Sequence, residues 1–540
     1  MRIKLALLLS LKLILSSVIS WGQEAEFQVQ LTPVSIPSLG GIQSFAFAQH
    51  NGKWLLLGGR LDGLHQRQPF ASFDLAGHNN LLIVVDPITK QSWSKSISSL
   101  PIAVQDHVKS TNAEFFQDGN MLYLIGGYGY SSAASDHTTF DNLTAVDVSA
   151  TINAVINNTS ITSYFRQITD ANLQVTGGRL EKIYDTYYLV GGQKFIGRYN
   201  PMGPTHGPGF FQEYTNEIRK FQISDNGTSL SIQHIGVWRD TNELHRRDYN
   251  VTPQIMPNGQ EGLTAFSGVF QKNADIPFLN CVNIDSSGYI PNNSFSQYYN
   301  HYHCANIPLY SEYYSEMSTV FFGGIAQYYD NSGVMTQDNN VPFVNTIARV
   351  TRDLGGNMAE YKLPITMPSL LGAGSEFIPL TTISRYHNGV IKLDSLNADT
   401  TLVGYIFGGI SSTAPNIFFS NTGTQSSASN QLFEVRIVKG NTYGIPELNK
   451  QSTGSLKLVV FPNPNNGLFK MNYNLNKPST VTIKIMSSDG KIISERNFKK
   501  MPIGSHSFSE EIQEIVHSGI YLVQLKTDYE SVTQRIILNR

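Results

Sequence analysis

The segment Met121-Leu122-Tyr123-Leu124-Ile125-Gly126-Gly127 carries the pattern that decides the fold: an apolar run that ends in two glycines. A short apolar run is typical of a buried β-strand. Paired glycines end such a strand because they tolerate positive φ and the close approach of another backbone. The pattern recurs in residues 53–59, 121–127, 186–192, 263–268, 320–324 and 405–409, although the fourth copy keeps only Gly268.

A second strand follows five of these six glycine motifs, and each time it begins at an asparagine. The interval from the second glycine to the asparagine is 21 residues in three cases, and 15 and 24 residues in the other two. Two elements that recur together predict a structural repeat. The asparagines are Asn80, Asn142, Asn216, Asn345 and Asn430.

Tight-turn dipeptides precede several of the apolar runs, as in Asn51-Gly52, Asp118-Gly119 and Asn258-Gly259. Such dipeptides favour two-residue hairpins. In the first unit, the stretch from Asp86 to Trp93 supplies a further strand. Each unit therefore consists of four strands, and four-stranded units arranged radially form an all-β propeller.

These residues resemble the kelch repeat, in which an apolar strand ends in Gly-Gly, an aliphatic strand ends near Asp, and a Trp follows. The first unit matches with Gly58-Gly59, Asp86 and Trp93, whereas most other units lack the Trp. The resemblance covers residues 24–440 and implies a six-bladed kelch-type β-propeller over 23–438, with Phe27–Pro37 as a strand that closes the ring against the last blade. It implies a fold and no activity, because kelch propellers include both binding modules and enzymes.

Length and composition place limits on the remaining classes. The chain has 540 residues, two cysteines, 15% charged residues and a net charge of −2. This composition argues against a coiled coil, a disordered acidic chain, a disulfide-dense scaffold and a four-cysteine zinc site. Because residues 1–22 carry +3 and residues 456–540 carry +4, the remainder carries −9. An acidic body is repelled by phosphate backbones, so no nucleic-acid partner is expected.

The N-terminus has the order of a secretory signal peptide. Arg2 and Lys4 precede the apolar run Leu5–Ile19, and Ser20-Trp21-Gly22 follows. This order predicts a signal peptide over 1–22 that signal peptidase removes after Gly22. The run is shorter than the roughly 20 residues that cross a membrane, so no transmembrane span is expected in the mature chain.

Residues 456–540 contain seven short alternating segments separated by turn residues, and this pattern predicts a small β-sandwich. The polar, Gly- and Pro-containing stretch 439–455 is interpreted as a linker between this tail and the body. The predicted strands are 456–461, 468–473, 480–486, 491–497, 505–508, 519–525 and 531–538.

The tail closely resembles the type A C-terminal sorting domain of the type IX secretion system. The residues that carry the resemblance are Pro462, Asn463, Pro464, Gly467, Asp489, Gly490, Gly519 and Tyr521. It implies an Ig-like sandwich, a Bacteroidetes-type host and the type IX secretion machinery as a partner. It also implies a protein that is secreted or attached to the outer-membrane surface after its tail is removed.

The loops between the second and third strands of the units are long and rich in aromatic residues. Long loops of a rigid scaffold commonly carry function, and in a propeller these loops emerge on one face. Aromatic rings suit both sugar rings and peptide partners; the alternative is that they only cover the face. The candidate ligand-binding residues are Phe70, Phe73, Tyr128, Tyr130, Phe210, Phe211, Tyr214, Tyr328, Tyr329, Phe418 and Phe419.

Three further groups of residues are candidates for chemistry. Cys281 and Cys304 could form a disulfide in an oxidising compartment, with two separate buried thiols as the alternative. In His301-Tyr302-His303-Cys304, a strand would place the two histidines on one face and the cysteine on the other, which favours a structural or ligand-contacting role over a metal site. The run Glu243–Asp248 is interpreted as a solvated loop, with arginines that bind an anionic sugar as the alternative.

The function expected from the sequence is non-catalytic binding of a glycan or a protein by a secreted or surface-displayed propeller. The alternative is a carbohydrate-active enzyme, an epimerase, lyase or oxidase, with its site at the mouth of the propeller. The sequence identifies no catalytic residue, and no metal or cofactor is expected.

Overall fold

The computed structural model describes residues 27–68, 71–199, 209–439, 456, 458–463, 465–487, 491–512 and 519–538. The chain divides into two compact units, Met1–Asn441 and Thr442–Arg540, called here the body and the tail. Both are built from β-strands, and the body also contains two short helices, α1 (Ile102–Val108) and α2 (Val148–Ile156). Phe70, Pro464, Asp489 and Gly490, the signal peptide and most of the linker lie outside the described residues.

The body strands are, in chain order, β1 (Phe27–Val34), β2 (Ala46–His50), β3 (Lys53–Leu57), β4 (Leu81–Asp86), β5 (Gln91–Ser96), β6 (Glu114–Asp118), β7 (Met121–Ile125), β8 (Tyr128–Ser131), β9 (Asp136–Thr139), β10 (Asn142–Asp147), β11 (Phe165–Thr169), β12 (Arg179–Ile183), β13 (Thr186–Val190), β14 (Gln193–Ile196), β15 (Phe211–Tyr214), β16 (Glu217–Asp225), β17 (Leu230–Arg239), β18 (Asn250–Ile255), β19 (Glu261–Phe266), β20 (Cys281–Ile284), β21 (Tyr289–Asn292), β22 (Asn306–Ser311), β23 (Glu316–Ile325), β24 (Tyr328–Asn331), β25 (Val334–Gln337), β26 (Phe343–Arg352), β27 (Met358–Thr366), β28 (Ser375–Pro379), β29 (Ile391–Lys392), β30 (Thr400–Gly408), β31 (Ile410–Ser412), β32 (Ser426–Ala428) and β33 (Leu432–Lys439).

Six of the body's sheets follow one another along the chain. Sheet 1 is β2-β3-β4-β5, sheet 2 is β6-β7-β10-β11, sheet 3 is β12-β13-β16-β17, and sheet 4 is β18-β19-β20-β21. Sheet 5 is β22-β23-β26-β27 with β29 added to β22, and sheet 6 is β28-β30-β33 completed by β1. The predicted pairing of the first strand with the last sheet is confirmed, since β1 pairs antiparallel with β33 from Phe27↔Lys439 to Val34↔Leu432.

The glycine pairs end the second strand of their sheets because the next sheet approaches there. The N–H of the second glycine donates to a backbone oxygen of the following sheet's segment, as from Gly127 to Val175 at 2.8 Å, and Gly409 donates back to Ile42 at 2.9 Å. A Cβ on the first glycine would collide with the same neighbour. At Gly126 it would lie 2.0 Å from the Val175 oxygen.

A closed ring of six backbone hydrogen bonds joins the segments that lead into the first strands of the six sheets. Each N–H in the ring donates to the carbonyl oxygen of the ring residue in the preceding sheet, and Ser44 closes the ring by donating to Gly374 at 2.8 Å. The ring residues are Ser44, Asn112, Gly177, Asp248, His303 and Gly374. Sheet 6 is therefore bonded to sheet 1 in the same way that consecutive sheets are bonded to each other.

The hydrophobic core of the body consists of separate clusters, each lying between two successive sheets. Trp54 and Tyr405, for example, pack edge to face at 5.1 Å between sheets 1 and 6. The other clusters lie between sheets 1 and 2, 2 and 3, 3 and 4, 4 and 5, and 5 and 6. Burial of apolar surface thus stabilises every interface between neighbouring sheets, including the one that joins the last sheet to the first.

The disulfide expected between Cys281 and Cys304 is not formed, and both side chains are free, buried thiols. Cys281 lies in β20 of sheet 4, whereas Cys304 lies in the segment that leads into β22 of sheet 5, and the two contact different partners. The Cys281 sulfur lies 3.7 Å from the Met358 sulfur, and the Cys304 sulfur lies 3.7 Å from Asn250 Nδ2. Burial raises the pKa of Cys281 to about 11 and that of Cys304 to about 12, so both thiols stay protonated at neutral pH.

The tail contains all seven of the predicted strands, arranged in a three-stranded sheet (β34-β35-β38) and a four-stranded sheet (β37-β36-β39-β40). Its core includes Phe469, Met471 and Val523, all buried. Tyr521 is also buried, and the Asn463 side chain accepts a hydrogen bond from the Ile537 N–H. The strands are β34 (Val459–Phe461), β35 (Leu468–Leu475), β36 (Ser479–Ser487), β37 (Ile492–Met501), β38 (Gly504–Glu511), β39 (Gly519–Lys526) and β40 (Ser531–Leu538).

Candidate functional site

A cavity of about 730 Å³ opens above the ring of hydrogen bonds. All six loops that follow the glycine motifs contribute to its wall, and ring residues such as Ser44, Asp248 and His303 contribute to its floor. The loops of sheets 2 and 3 form a small sheet of their own, β8-β9-β14-β15, which supports one side of the wall. Long loops on one face of the body therefore enclose a cavity of the size that holds a small ligand.

One wall of the cavity is aromatic. Phe195 stacks on Phe210 with ring centroids 4.7 Å apart, and Phe73 packs edge to face on Tyr128 at 5.0 Å. His65 stacks on Phe73 at 5.3 Å. Burial lowers the pKa of His65 to about 4, so this imidazole is neutral at neutral pH and extends the apolar wall.

The wall also carries four cationic side chains against two carboxylates, although the body as a whole is acidic. The cations are Arg60, Arg67, Arg247 and Lys272, and the carboxylates are Asp248 and Asp275. Arg60 pairs with Asp62, and Arg247 pairs with Asp248. Arg67 forms no ion pair with any residue that the structure describes and lies over the Phe419 ring at 4.6 Å.

A phenol, an imidazole and a guanidinium meet on the side of the cavity formed by sheets 3 and 4. The rings of Tyr214 and His245 stack with centroids 3.8 Å apart. The Tyr214 hydroxyl oxygen accepts a hydrogen bond from Arg247 Nε at 3.0 Å and one from the Phe270 N–H at 3.2 Å. Burial alone would lower the pKa of Arg247, but Tyr214 and Asp248 outweigh it and raise that pKa, so this guanidinium stays charged.

The floor of the cavity is continuous with a buried charged cluster below the ring. His303 Nε2 lies 3.0 Å from Glu376 Oε1, and Arg179 Nη1 lies 3.6 Å from the same oxygen. Burial would raise the pKa of Glu376, but His303 and Arg179 hold it below its usual value. Glu376 is therefore ionised at neutral pH and fixes the His303 ring at the floor.

The predicted ligand-binding residues divide into two groups. Those that line the cavity are Phe73, Tyr128, Phe210, Tyr214, Phe418 and Phe419, whereas Tyr130, Phe211, Tyr328 and Tyr329 do not line it. Phe210 and Phe211 separate because successive residues of an extended segment point in opposite directions, and Phe211 remains 52% exposed. Phe70 lies outside the described residues.

The interpretation of Glu243–Asp248 as a solvated loop is wrong for its two arginines. Arg246 is only 1% exposed, and its guanidinium donates to the backbone oxygens of Ser267 and Asn280 at 2.6 and 3.0 Å. Arg247, the next residue, lines the cavity. The density of charge in this run was the signal that could have identified Arg247 and His245, which the aromatic pattern alone missed.

The expectation that His301 and His303 share the face of a strand is also wrong, because residues 301–303 are not in a strand. His301 is buried, where its Nε2 lies 2.9 Å from the Gln297 carbonyl and its Nδ1 accepts from the Gln327 N–H at 3.0 Å. His303 lines the cavity together with its neighbour Tyr302, whereas His301 and Cys304 are not part of the lining. Within the described part of the chain, no group of three or more His, Cys, Asp or Glu side chains is arranged to hold a metal ion.

Comparisons with known proteins identify the tail. Residues 459–539 match the family described as the secretion system C-terminal sorting domain. The resemblance of the tail to the type IX sorting domain is therefore confirmed, and the protein is exported by that secretion system to be secreted or attached to the outer-membrane surface. Among the described residues, no helix has the length and apolar character needed to cross a membrane.

Two solved structures are similar to the chain at low sequence identity. A structure titled "Structure of YjhT" is 11% identical, with a TM-score of 0.40, over 75% of this chain and 100% of the other. A glycoside hydrolase family 43 arabinoxylan arabinofuranohydrolase from Bacillus subtilis, in complex with cellotetraose, is 10% identical with a TM-score of 0.25, over 93% of this chain and 96% of the other. No curated protein matches the chain.

Proposed function

We propose that the body is a six-bladed kelch-type β-propeller that binds an acidic glycan in the cavity at its mouth. Exported by its tail, the protein would meet such a ligand outside the cell. The observation that carries the proposal is the cavity wall itself, where stacked aromatic rings stand beside cations that the nearby carboxylates do not fully balance. The proposed boundaries are 1–22 for the signal peptide, 23–438 for the propeller, 439–455 for the linker and 456–540 for the sorting domain. Mass spectrometry of the N- and C-termini of the exported protein tests where the signal peptide and the sorting domain are removed.

Two features of the body support the propeller. The hydrogen-bond ring passes once through each of the six sheets and closes from Gly374 to Ser44. The apolar clusters alternate with the sheets and also close, through the cluster that contains Trp54 and Tyr405. A cyclic arrangement satisfies both, because an open row of sheets would leave one apolar face of the first sheet and one of the last exposed to water.

The shape of the site supports a glycan over a protein ligand. A cavity of about 730 Å³ is within the range of small-ligand pockets, whereas stable protein interfaces bury broad surfaces of about 800 Å² per partner. The wall offers the ring of Phe210, which stacks on the buried ring of Phe195, together with hydrogen-bonding side chains such as Gln193 and Gln212. Aromatic faces contact the apolar faces of sugar rings, and the polar groups match their hydroxyls.

The charge of the site supports an acidic ligand. A buried N–H without an acceptor is costly, yet Arg67 Nε is buried and has no hydrogen-bond acceptor among the described residues. Lys272 also forms no ion pair with a described residue, whereas the rest of the body carries excess negative charge. Carboxylates bind to such a guanidinium through short, charge-assisted hydrogen bonds.

We expect Phe210→Ser to weaken binding of an acidic oligosaccharide by about tenfold, because it removes an aromatic stacking face worth roughly 1–1.5 kcal/mol. Phe211→Ser is the matched control, since its neighbouring side chain does not line the cavity. Isothermal titration calorimetry of the two variants, with melting temperatures to confirm folding, measures the difference. Equal affinities in Phe210→Ser and the unmodified protein would place the ligand elsewhere.

A further inference from the structure

The hydroxyl of Tyr214 is arranged as a proton donor toward the cavity. Its oxygen has two lone pairs and one proton, and it already accepts hydrogen bonds from Arg247 Nε and the Phe270 N–H. With both lone pairs engaged, the hydroxyl proton must point away from those donors, and no described residue accepts it. The same two donors would stabilise the phenolate that remains after the proton leaves.

The imidazole of His245 is arranged as a base beside that phenol. Asn216 Nδ2 donates to the Tyr214 carbonyl at 3.2 Å, which turns Asn216 Oδ1 toward His245 Nδ1 at 2.7 Å. Because an amide oxygen only accepts hydrogen bonds, Nδ1 carries the proton and Nε2 keeps its lone pair. Burial, together with Lys272 and Arg247, lowers the pKa of His245, so the ring is neutral at neutral pH. Nε2 has no hydrogen-bond partner in the described part of the chain.

An acid, a base and a carboxylate-binding cation are the three groups that a β-elimination from a uronic acid residue needs. The rings of Tyr214 and His245 stack at 3.8 Å, so one sugar residue can reach both. Arg247 and Lys272 would neutralise the carboxylate and thereby acidify the adjacent C–H bond. Glycoside hydrolysis, in contrast, usually uses a pair of carboxyl groups. Of the two carboxylates in the cavity wall, Asp248 is already paired with Arg247.

We propose that Tyr214 and His245 form an acid–base pair that cleaves a uronate-containing glycan by β-elimination, an inference that rests on the proposed binding of an acidic glycan in this cavity. His245 Nε2 takes the proton from C5, and the electron pair of that C–H bond forms the C4=C5 double bond. The C4–O bond breaks, its electron pair stays on the leaving glycosidic oxygen, and that oxygen takes the phenolic proton of Tyr214. Water then returns the proton from the imidazolium to the phenolate, so no oxidant, reductant or co-reactant is consumed.

The experiment uses the full-length protein with three probes: polygalacturonate, alginate and hyaluronan. Calorimetry measures binding, and the ultraviolet absorbance of the unsaturated uronate product measures elimination. We expect one probe to be bound and cleaved, and Tyr214→Phe to slow cleavage by about 100-fold or more while its dissociation constant changes less than threefold, because the ring still stacks on His245. Tyr130→Phe is the matched control, since Tyr130 does not line the cavity, and it should cleave at the unmodified rate.

His245→Gln provides a second variant that keeps a hydrogen-bonding side chain but removes the base, and it should be as slow as Tyr214→Phe. Binding without any unsaturated product would overturn the elimination proposal and leave the proposed binding function intact. Cleavage that persists in Tyr214→Phe and His245→Gln would also overturn it. If the protein binds none of the three probes, the result would count against the proposed function itself and, with it, the elimination.

Discussion

Gly126→Ala is expected to destabilise the body by about 3 kcal/mol, a large effect for a single methyl group. The added Cβ would lie 2.0 Å from the Val175 carbonyl oxygen and 2.9 Å from Glu114 Oε2. That carbonyl cannot move freely, because it accepts the hydrogen bond from Gly127 that joins sheets 2 and 3. The substitution therefore pushes two neighbouring sheets apart at the point where the glycine pair holds them.

Gly119→Ala provides a closely matched control for this prediction. Gly119 has φ of +59° and Gly126 has φ of +62°, so alanine meets the same backbone strain of about 1–2 kcal/mol at both positions. A Cβ on Gly119, however, would have no heavy atom within 4 Å. Chemical denaturation of both variants isolates the cost of the close approach. Equal unfolding free energies would show that the glycine pair is needed only for its backbone conformation.

Arg246→Met is expected to destabilise the body by about 3–5 kcal/mol, because it removes one partner from a buried polar network. The guanidinium joins Glu243 to the oxygens of Ser267 and Asn280 and lies 4.0 Å from the Phe278 ring centroid. Burial lowers its pKa to about 10, which still leaves it charged at neutral pH. Without the guanidinium, these buried oxygens lose their hydrogen-bond donor. They then pay the desolvation penalty of an unsatisfied buried acceptor.

Arg239→Met is the control for that prediction. Arg239 also pairs with a carboxylate, Glu217, but its side chain is 70% exposed. Because the Arg239 side chain remains largely in water, we expect its pair to contribute only about 0–1 kcal/mol. The buried Glu217 keeps its second partner, Arg219. Urea unfolding of the two variants should therefore differ by at least about 2 kcal/mol. A small loss in Arg246→Met would mean that the network around Arg246 is replaceable by packing.

The repeat could be predicted from the sequence because it depends on glycines that backbone contacts between neighbouring sheets select. A glycine lies at the second position of every motif, where its N–H donates to a carbonyl of the segment that leads to the next sheet, and at the first position in five of the six, so the pattern recurs in the sequence with the contact. The strand at Phe27 was predicted from its position, since it precedes the first unit of the repeat and a closed ring needs a strand that joins the first unit to the last. The seven strands of the tail were predicted from alternation and turn residues alone.

The site was predicted only in part, because its residues are far apart in the sequence and only the arrangement of the sheets brings them together. Aromatic loops identified Tyr128 and Tyr214, but no local pattern distinguishes Phe210, which faces the cavity, from Phe211, which does not. Likewise, nothing in the letters separates Arg246, buried in a network, from Arg247, which faces the cavity. The separation of 23 residues between Cys281 and Cys304 also could not show that one lies within sheet 4 and the other before the first strand of sheet 5.

The most direct test of the central claim compares each acidic oligosaccharide with its own carboxyl-reduced form. Calorimetry of the unmodified protein with oligogalacturonate, oligoalginate and hyaluronan oligosaccharides gives the dissociation constants, and Arg67→Gln is measured alongside. We predict that at least one acidic form binds about tenfold or more tightly than its reduced form, as expected for a charge-assisted hydrogen bond worth about 1.5–3 kcal/mol, and that Arg67→Gln narrows that difference. Equal affinity for the acidic and reduced forms, or no binding of either, would contradict it.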